Sequence, residues 1–330
     1  KMLQGGAMGK TLVFLGTGGT IAGKAAFAQD NVGYTAAQLG VAQLLEGVSG
    51  LESAVEGCTV EHEQVAQLDS KDMEHAVWSR LAQRIQAHLA RDEVRAVLVT
   101  HGTDTLEETA FFLSQVLPAS LLGDKPVVLT CAMRPATALT PDGPQNVLDA
   151  VRVALDAHAR GVVAVCAGTI HAARYVQKSH PYRLDAFDSS DGGALGYVEE
   201  GRVRWVHECP VEGCDAPVPG LDQPSGWPRV EVVFSHAGAN GATVRAMCAS
   251  ATLGAPAVRG LVVAGTGNGT VHRDLEAALV QAQQQGVHVV RTTRCAYGAV
   301  VPGAVSPFAV GQGLAPFKER IALMLQIMRG

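Results

Sequence analysis

The chain is poor in aromatic residues, in charge and in long apolar runs. Aromatics make up 5% of its 330 positions and charged residues 17%. Lys and Arg number 26 against 31 Asp and Glu, a formal net charge of −5. No dense Lys/Arg run occurs, and a basic patch is what holds the phosphate backbone, so nucleic acid is not an expected partner. Its longest apolar stretches, such as Gly161 to Gly168, fall far short of the roughly 20 residues a bilayer-spanning helix needs, so no membrane partner is expected either. The seven cysteines and eleven histidines contain no Cys-x-x-Cys and no His-Glu-x-x-His. No metal site is therefore expected, and nothing implies a cofactor. An odd set of cysteines without a disulfide framework points to a reducing, cytoplasmic compartment. The expectation becomes periplasmic if a signal segment has been removed, because cleavage leaves no trace.

What is present is a large core. Hydrophobic residues make up 47% of the chain and the mean hydropathy is +0.15, which excludes a disordered chain. The length suits about two domains. Short apolar runs, Thr11–Leu15, Ala96–Thr100, Val127–Thr130 and Val162–Val165, read as buried strands. Between them Val77, Leu81, Ile85 and Leu89 recur every four residues, one stripe of a helix over 73–89, and 110–117 and 147–157 are patterned alike. Strand runs resume at Val230–Phe234, Leu261–Ala264 and Val287–Val290, and a last amphipathic helix covers 318–328. The fold class is therefore α/β, with two α/β domains: a larger N-terminal one, mostly parallel sheet with flanking helices, and a smaller C-terminal one. Five prolines and three glycines across 209–228 mark a linker between a first domain at 10–208 and a second at 229–330.

Open α/β sheets bind ligands beyond the carboxyl ends of their strands, so the loops there carry the functional reading. The 37 glycines, well above the usual share, gather partly in these loops. After the first strand comes Gly16-Thr17-Gly18-Gly19-Thr20-Ile21-Ala22-Gly23-Lys24. Its glycines miss the dinucleotide spacing, because Ile21 stands where the third would fall. A P-loop fits from Gly18 to Lys24, but Ala25 replaces the hydroxyl that would hold magnesium. After the strand ending at Thr100 comes His101-Gly102-Thr103-Asp104-Thr105-Leu106-Glu107-Glu108-Thr109. Thr105 with Glu108, or Asp104 with Glu107, reads as a capping box, and Ser70 reads as a helix N-cap. Capping does not explain a second glycine–threonine pair after a second strand.

Together these two loops closely resemble the two signature motifs of the bacterial L-asparaginases. Tyr34-Thr35, Leu68 to Met73, Ala132 to Pro135, Asp142 to Pro144, Lys178 and Gly265 to Gly269 extend the resemblance over about residues 10–330. It implies hydrolysis of the side-chain amide of L-asparagine to aspartate and ammonia. Thr20 would be the nucleophile, forming an acyl-enzyme, with Tyr34 beside it. Thr103, Asp104 and Lys178 would make a second catalytic trio. Substrate would be held by Ser70, Lys71, Thr103, Asp104 and the backbone around Ala132. It also implies a homotetramer built from dimers.

The chemistry suits these residue types. An amide is a poor electrophile, so a hydroxyl needs a proton acceptor and the oxyanion needs donors. Tyr34 accepts the proton only if its pKa, ordinarily about 10, is lowered. Asp104 suits an α-ammonium group, and Ser70 an α-carboxylate. The stretch from Gly23 to Gly33 reads as a lid. Lys71 stands where the periplasmic-type enzymes carry glutamine, and no acidic residue lies near Ala304, where a neighbouring subunit commonly supplies a glutamate. These departures favour asparagine over glutamine. Broader glutaminase–asparaginase activity, a non-catalytic amino-acid binder and a P-loop NTPase stay open as alternatives, as does Thr103 as the first nucleophile.

Overall fold

The computed structural model describes residues 10–55, 57–249, 254–303 and 306–330. The chain divides into two compact units between Pro217 and Val218. That division falls inside the expected linker, whose first part packs on the first unit. The Glu212 carboxylate accepts from Ser114 Oγ and Gln115 Nε2, and Asp215 Oδ1 accepts from the Ser120 N–H.

Among the described residues, the first unit carries strands β1 (Thr11–Gly18), β2 (Thr59–Leu68), β3 (Val94–Thr100), β4 (Val127–Thr130), β5 (Val162–Cys166), β6 (Thr169–Ala172), β7 (Gln177–Lys178), β8 (Phe187–Asp188), β9 (Gly196–Glu199) and β10 (Arg202–Trp205). Its helices are α1 (Val41–Glu46), α2 (Leu51–Ala54), α3 (His75–Leu89), α4 (Leu106–Val116), α5 (Ala119–Leu122) and α6 (Gly143–Leu155). One eight-stranded sheet runs β10-β9-β6-β5-β4-β3-β1-β2, and β7 and β8 form a separate hairpin. From β2 to β5 all pairings are parallel; β6, β9 and β10 join antiparallel. The expected mostly parallel sheet is thus present. β1, β4 and β5 are buried along their whole length and β3 nearly so, because helices cover both faces. Cys131 and Cys166 sit at the ends of β4 and β5 as buried thiols, their sulfurs 3.3 Å apart.

β2 escaped the sequence reading for a physical reason. It is an edge strand whose Glu61 and Glu63 face Arg91 and Arg84, so its polar pattern reflects ion pairs along the sheet edge rather than burial.

The strand order contains the feature that matters most. β1 has β2 on one side and β3 on the other, so the sheet changes winding direction between β1 and β3. At such a switch point the loops leaving two adjacent strands diverge to opposite faces and open a crevice. The two threonine loops leave these two strands.

The second unit is a parallel sheet β11-β12-β13-β14 (Arg229–Phe234, Val258–Gly265, His288–Thr293, Ala309–Val310). With it go α7 (Ala242–Ala249), α8 (Arg273–Gln284) and α9 (Pro316–Arg329). Val233, Leu261, Val263, Leu275 and Leu279 form its core. The loop after β12 closes on itself through reciprocal bonds between Thr266 and Thr270, and Asn268 exchanges bonds with the Val301 backbone.

Candidate active site

The crevice is built first by glycines. Gly19 has φ +84°, and a Cβ there would meet Gly102 Cα at 2.3 Å. A Cβ on Gly102 would in turn meet Ser70 Oγ at 2.4 Å. The loops after β1 and β3 therefore touch through backbone and the Ser70 side chain packs on Gly102, and only glycine permits these approaches.

On this frame the hydroxyls are placed. A short 3₁₀ turn, Thr20–Ala22, follows β1, and Thr20 Oγ1 lies 2.5 Å from Tyr34 Oη. Beyond β3, Lys178 Nζ donates to Thr103 Oγ1 at 2.8 Å and to Asp104 Oδ1 at 2.6 Å. Ser70 Oγ accepts the Asp104 N–H, which leaves the serine hydrogen available to another acceptor. Ala132 is buried behind the same turn, where Gly143 packs between it and Ile21. Thr20, Tyr34, Ser70, Thr103, Asp104, Ala132 and Lys178 are thus brought together. The Lys71 ammonium pairs with Asp72, both side chains being more than 60% exposed, with the Asp69 and Asp104 carboxylates near enough to act on it as well. The expected departure near Ala304 lies outside the described residues.

Three local expectations are corrected. Ser70 does not cap the following helix, which begins at His75; it opens a 3₁₀ turn and its hydroxyl serves Asp104. Thr105 makes no capping bond, because its hydroxyl donates to the Ser70 carbonyl. Glu107 does not reach back to Asp104 either; its carboxylate accepts the backbone N–H of Lys178. In each case a side chain that looked locally employed is used across the crevice.

The structure also bears on the condition set on Tyr34. Burial pushes its phenol above the ordinary value, the Thr20 bond opposes this, and the Asp69 and Asp104 carboxylates add to it. The lowering that would make Tyr34 an ionised base is opposed by this burial and by these two carboxylates. The phenol is a neutral group here, able to accept one proton only while passing on another.

His101 is fully buried beside these groups. Its Nδ1 faces the Gly102 carbonyl at 2.7 Å, so the hydrogen sits on Nδ1, and Nε2 has no partner among the described residues. Burial pulls its pKa down to about 4, against the raising effect of the carbonyl bond. Below pH 6.5 the unfolded chain takes up a proton that the native imidazole refuses. Stability should therefore fall as the pH drops from about 6.5 to about 4, then level off. Two and a half units at about 1.36 kcal/mol each give roughly 3 kcal/mol. Between pH 7 and pH 4.5, which spans most of that window, urea denaturation should show a pH dependence smaller by about 2 kcal/mol in His101→Gln.

Hydroxyls held beside proton partners at a sheet switch point, with Ala25 where a P-loop needs its hydroxyl, suit nucleophilic chemistry in an α/β enzyme rather than phosphate binding. Comparison with known proteins places it more closely. Residues 11–210 match the N-terminal asparaginase family model, and residues 229–330 match the model of the glutaminase/asparaginase C-terminal domain. L-asparaginase 2 of Bacillus subtilis is 34% identical over 325 residues, covering 96% of this chain and 82% of that protein. The glutaminase-asparaginase of Pseudomonas fluorescens is also 34% identical, over 96% of this chain and 86% of its own length. The crystal structure of a probable cytoplasmic L-asparaginase from Campylobacter jejuni superposes with a TM-score of 0.86 at 33% identity, covering 97% of this chain and 96% of that one. The chain belongs to the asparaginase family of amidohydrolases.

Proposed function

We propose that this protein hydrolyses L-asparagine to L-aspartate and ammonia through a covalent acyl-enzyme on Thr20. The observation that carries the reading is the pairing of each threonine with its own proton partner, Thr20 with Tyr34 and Thr103 with Lys178.

Thr20 Oγ attacks the amide carbon as its proton passes to the Tyr34 oxygen, and Tyr34 passes its own proton on to the amide nitrogen. The carbonyl electron pair moves to oxygen. Lys178 donates to Thr103 Oγ1, so the Thr103 hydrogen is free to stabilise that oxyanion or to position water. Collapse of the tetrahedral species breaks the C–N bond, and the protonated nitrogen leaves as ammonia. Water then attacks the β-aspartyl ester and returns the proton to Thr20. Asp104, half-exposed, keeps an oxygen for the substrate α-ammonium, while Ser70 offers its hydrogen to the α-carboxylate. An α-ammonium set against Asp104 also neutralises one of the two carboxylates that hold the Tyr34 pKa up. Substrate thereby makes the phenol a better proton relay.

Glutamine adds one methylene, and a pocket discriminates by one methylene to the extent of about 10- to 200-fold. Asparagine should be preferred within that range. A steady-state comparison of the two amides by ammonia release tests both parts: no ammonia from asparagine defeats the hydrolase reading, and equal kcat/KM defeats the preference. The seven cysteines are all free thiols, which supports a reducing, cytoplasmic setting. The homotetramer remains part of the proposal, resting on family membership.

A further inference from the structure

Lys178 is held at both ends. Its ammonium, with the side chain only 17% exposed, reaches Thr103 and Asp104. Its backbone lies in β7, a strand of two residues paired, among the described residues, with β8 alone. The Ser179 N–H points across this hairpin to the Ala186 carbonyl, so by strand alternation the Lys178 N–H points outward. There the Glu107 carboxylate accepts it, across 71 residues of sequence. Glu107 lies in the first turn of α4 and is 8% exposed. The same turn follows directly from Thr103 and Asp104. One short segment, 103–107, thus grips the lysine from its amine and from its main chain.

We infer that Glu107 is a positioning residue for the reaction: its carboxylate anchors the main chain of Lys178 and so sets the ammonium against Thr103 and Asp104. This rests on the reading of Lys178 as a working group of the site. A hairpin this short has little stiffness of its own, and its pairing to β8 leaves the outward face free to slide. Backbone pinned by a buried acceptor does not slide, because a buried N–H without a partner is strongly disfavoured. The register of the lysine against the two acceptors just ahead of α4 then follows from a contact in the first turn of that helix.

The test is a double-mutant cycle on the full chain, with asparagine as substrate. Glu107→Ala should lower kcat by about 10²-fold, the scale expected when a catalytic group shifts by roughly 1 Å, with KM little changed. Glu107→Gln, whose amide oxygen still accepts the Lys178 N–H, should recover most of that loss. In a Lys178→Met background, Glu107→Ala should produce no further loss, because the contact acts through the lysine. The pH profile of kcat should change shape in Glu107→Ala, which a smaller folded fraction would not cause. The same fractional loss in both backgrounds, or an unchanged profile with Gln no better than Ala, overturns the inference. Full activity in Lys178→Met overturns the reading of Lys178 itself, a different result from full activity in Glu107→Ala with Lys178→Met impaired.

Discussion

Thr20→Ala should lower kcat for asparagine by roughly 10⁴- to 10⁶-fold, the range seen when a covalent nucleophile is removed and only binding and oxyanion stabilisation remain. The fold should survive. Thr20 is buried at 6% exposure, but its hydroxyl bonds only to Tyr34, and one lost hydrogen bond there costs about 1 kcal/mol. Ammonia release and a thermal melt on the same preparation separate the two effects. Thr20→Ser, which keeps the hydroxyl, should retain far more activity. Thr103→Ala should be less severe, since Thr103 serves the oxyanion or the water in the proposed course. The opposite order, with Thr103→Ala near zero and Thr20→Ala near normal, would move the ester to Thr103. Rapid quenching with asparagine should put the β-aspartyl adduct on the peptide containing Thr20.

Which parts of this site could be read from the sequence follows from how far each contact reaches. The two threonine loops stood out because strand, glycine and hydroxyl are contiguous there, and strand ends are where α/β sheets bind. Tyr34, Lys178 and Ser70 came from resemblance alone, since nothing within a few residues of them marks a partner. Glu107 was visible only as a capping-box partner for Asp104, a common use of a glutamate at that position. Its true partner lies 71 residues away, and no local pattern encodes that distance. The direction of the Tyr34 pKa could not be read from the sequence for a related reason. Its direction depends on burial and on Asp69 and Asp104, groups that adjoin it only after β2 and β3 flank β1. The antiparallel strands β6, β9 and β10 are four residues each, too short for a periodicity to declare itself.

Gly19→Ala should show how much of the site is backbone contact. Gly19 sits at φ 84° and ψ −171°, a region essentially reserved for glycine, where a side chain costs of the order of 1–3 kcal/mol. The added Cβ would also meet Gly102 Cα at 2.3 Å and Gly102 N at 2.4 Å, backbone atoms that cannot rotate away. Relief requires the loops after β1 and β3 to part, and those loops carry Thr20 on one side and Thr103 with Asp104 on the other. The expected result is a stability loss of about 2–4 kcal/mol, strain plus displaced backbone, together with at least a 10²-fold loss of kcat/KM as the threonines separate. Gly50→Ala is the matched control. Gly50 also has a positive φ, +85°, but lies in open space with nothing within 4 Å of its added Cβ. Its variant should lose only about 1–2 kcal/mol and keep full activity in the folded fraction. If Gly19→Ala behaves as Gly50→Ala does, the crevice tolerates separation of its two loops, and the geometry that pairs the threonines is not what the reaction requires.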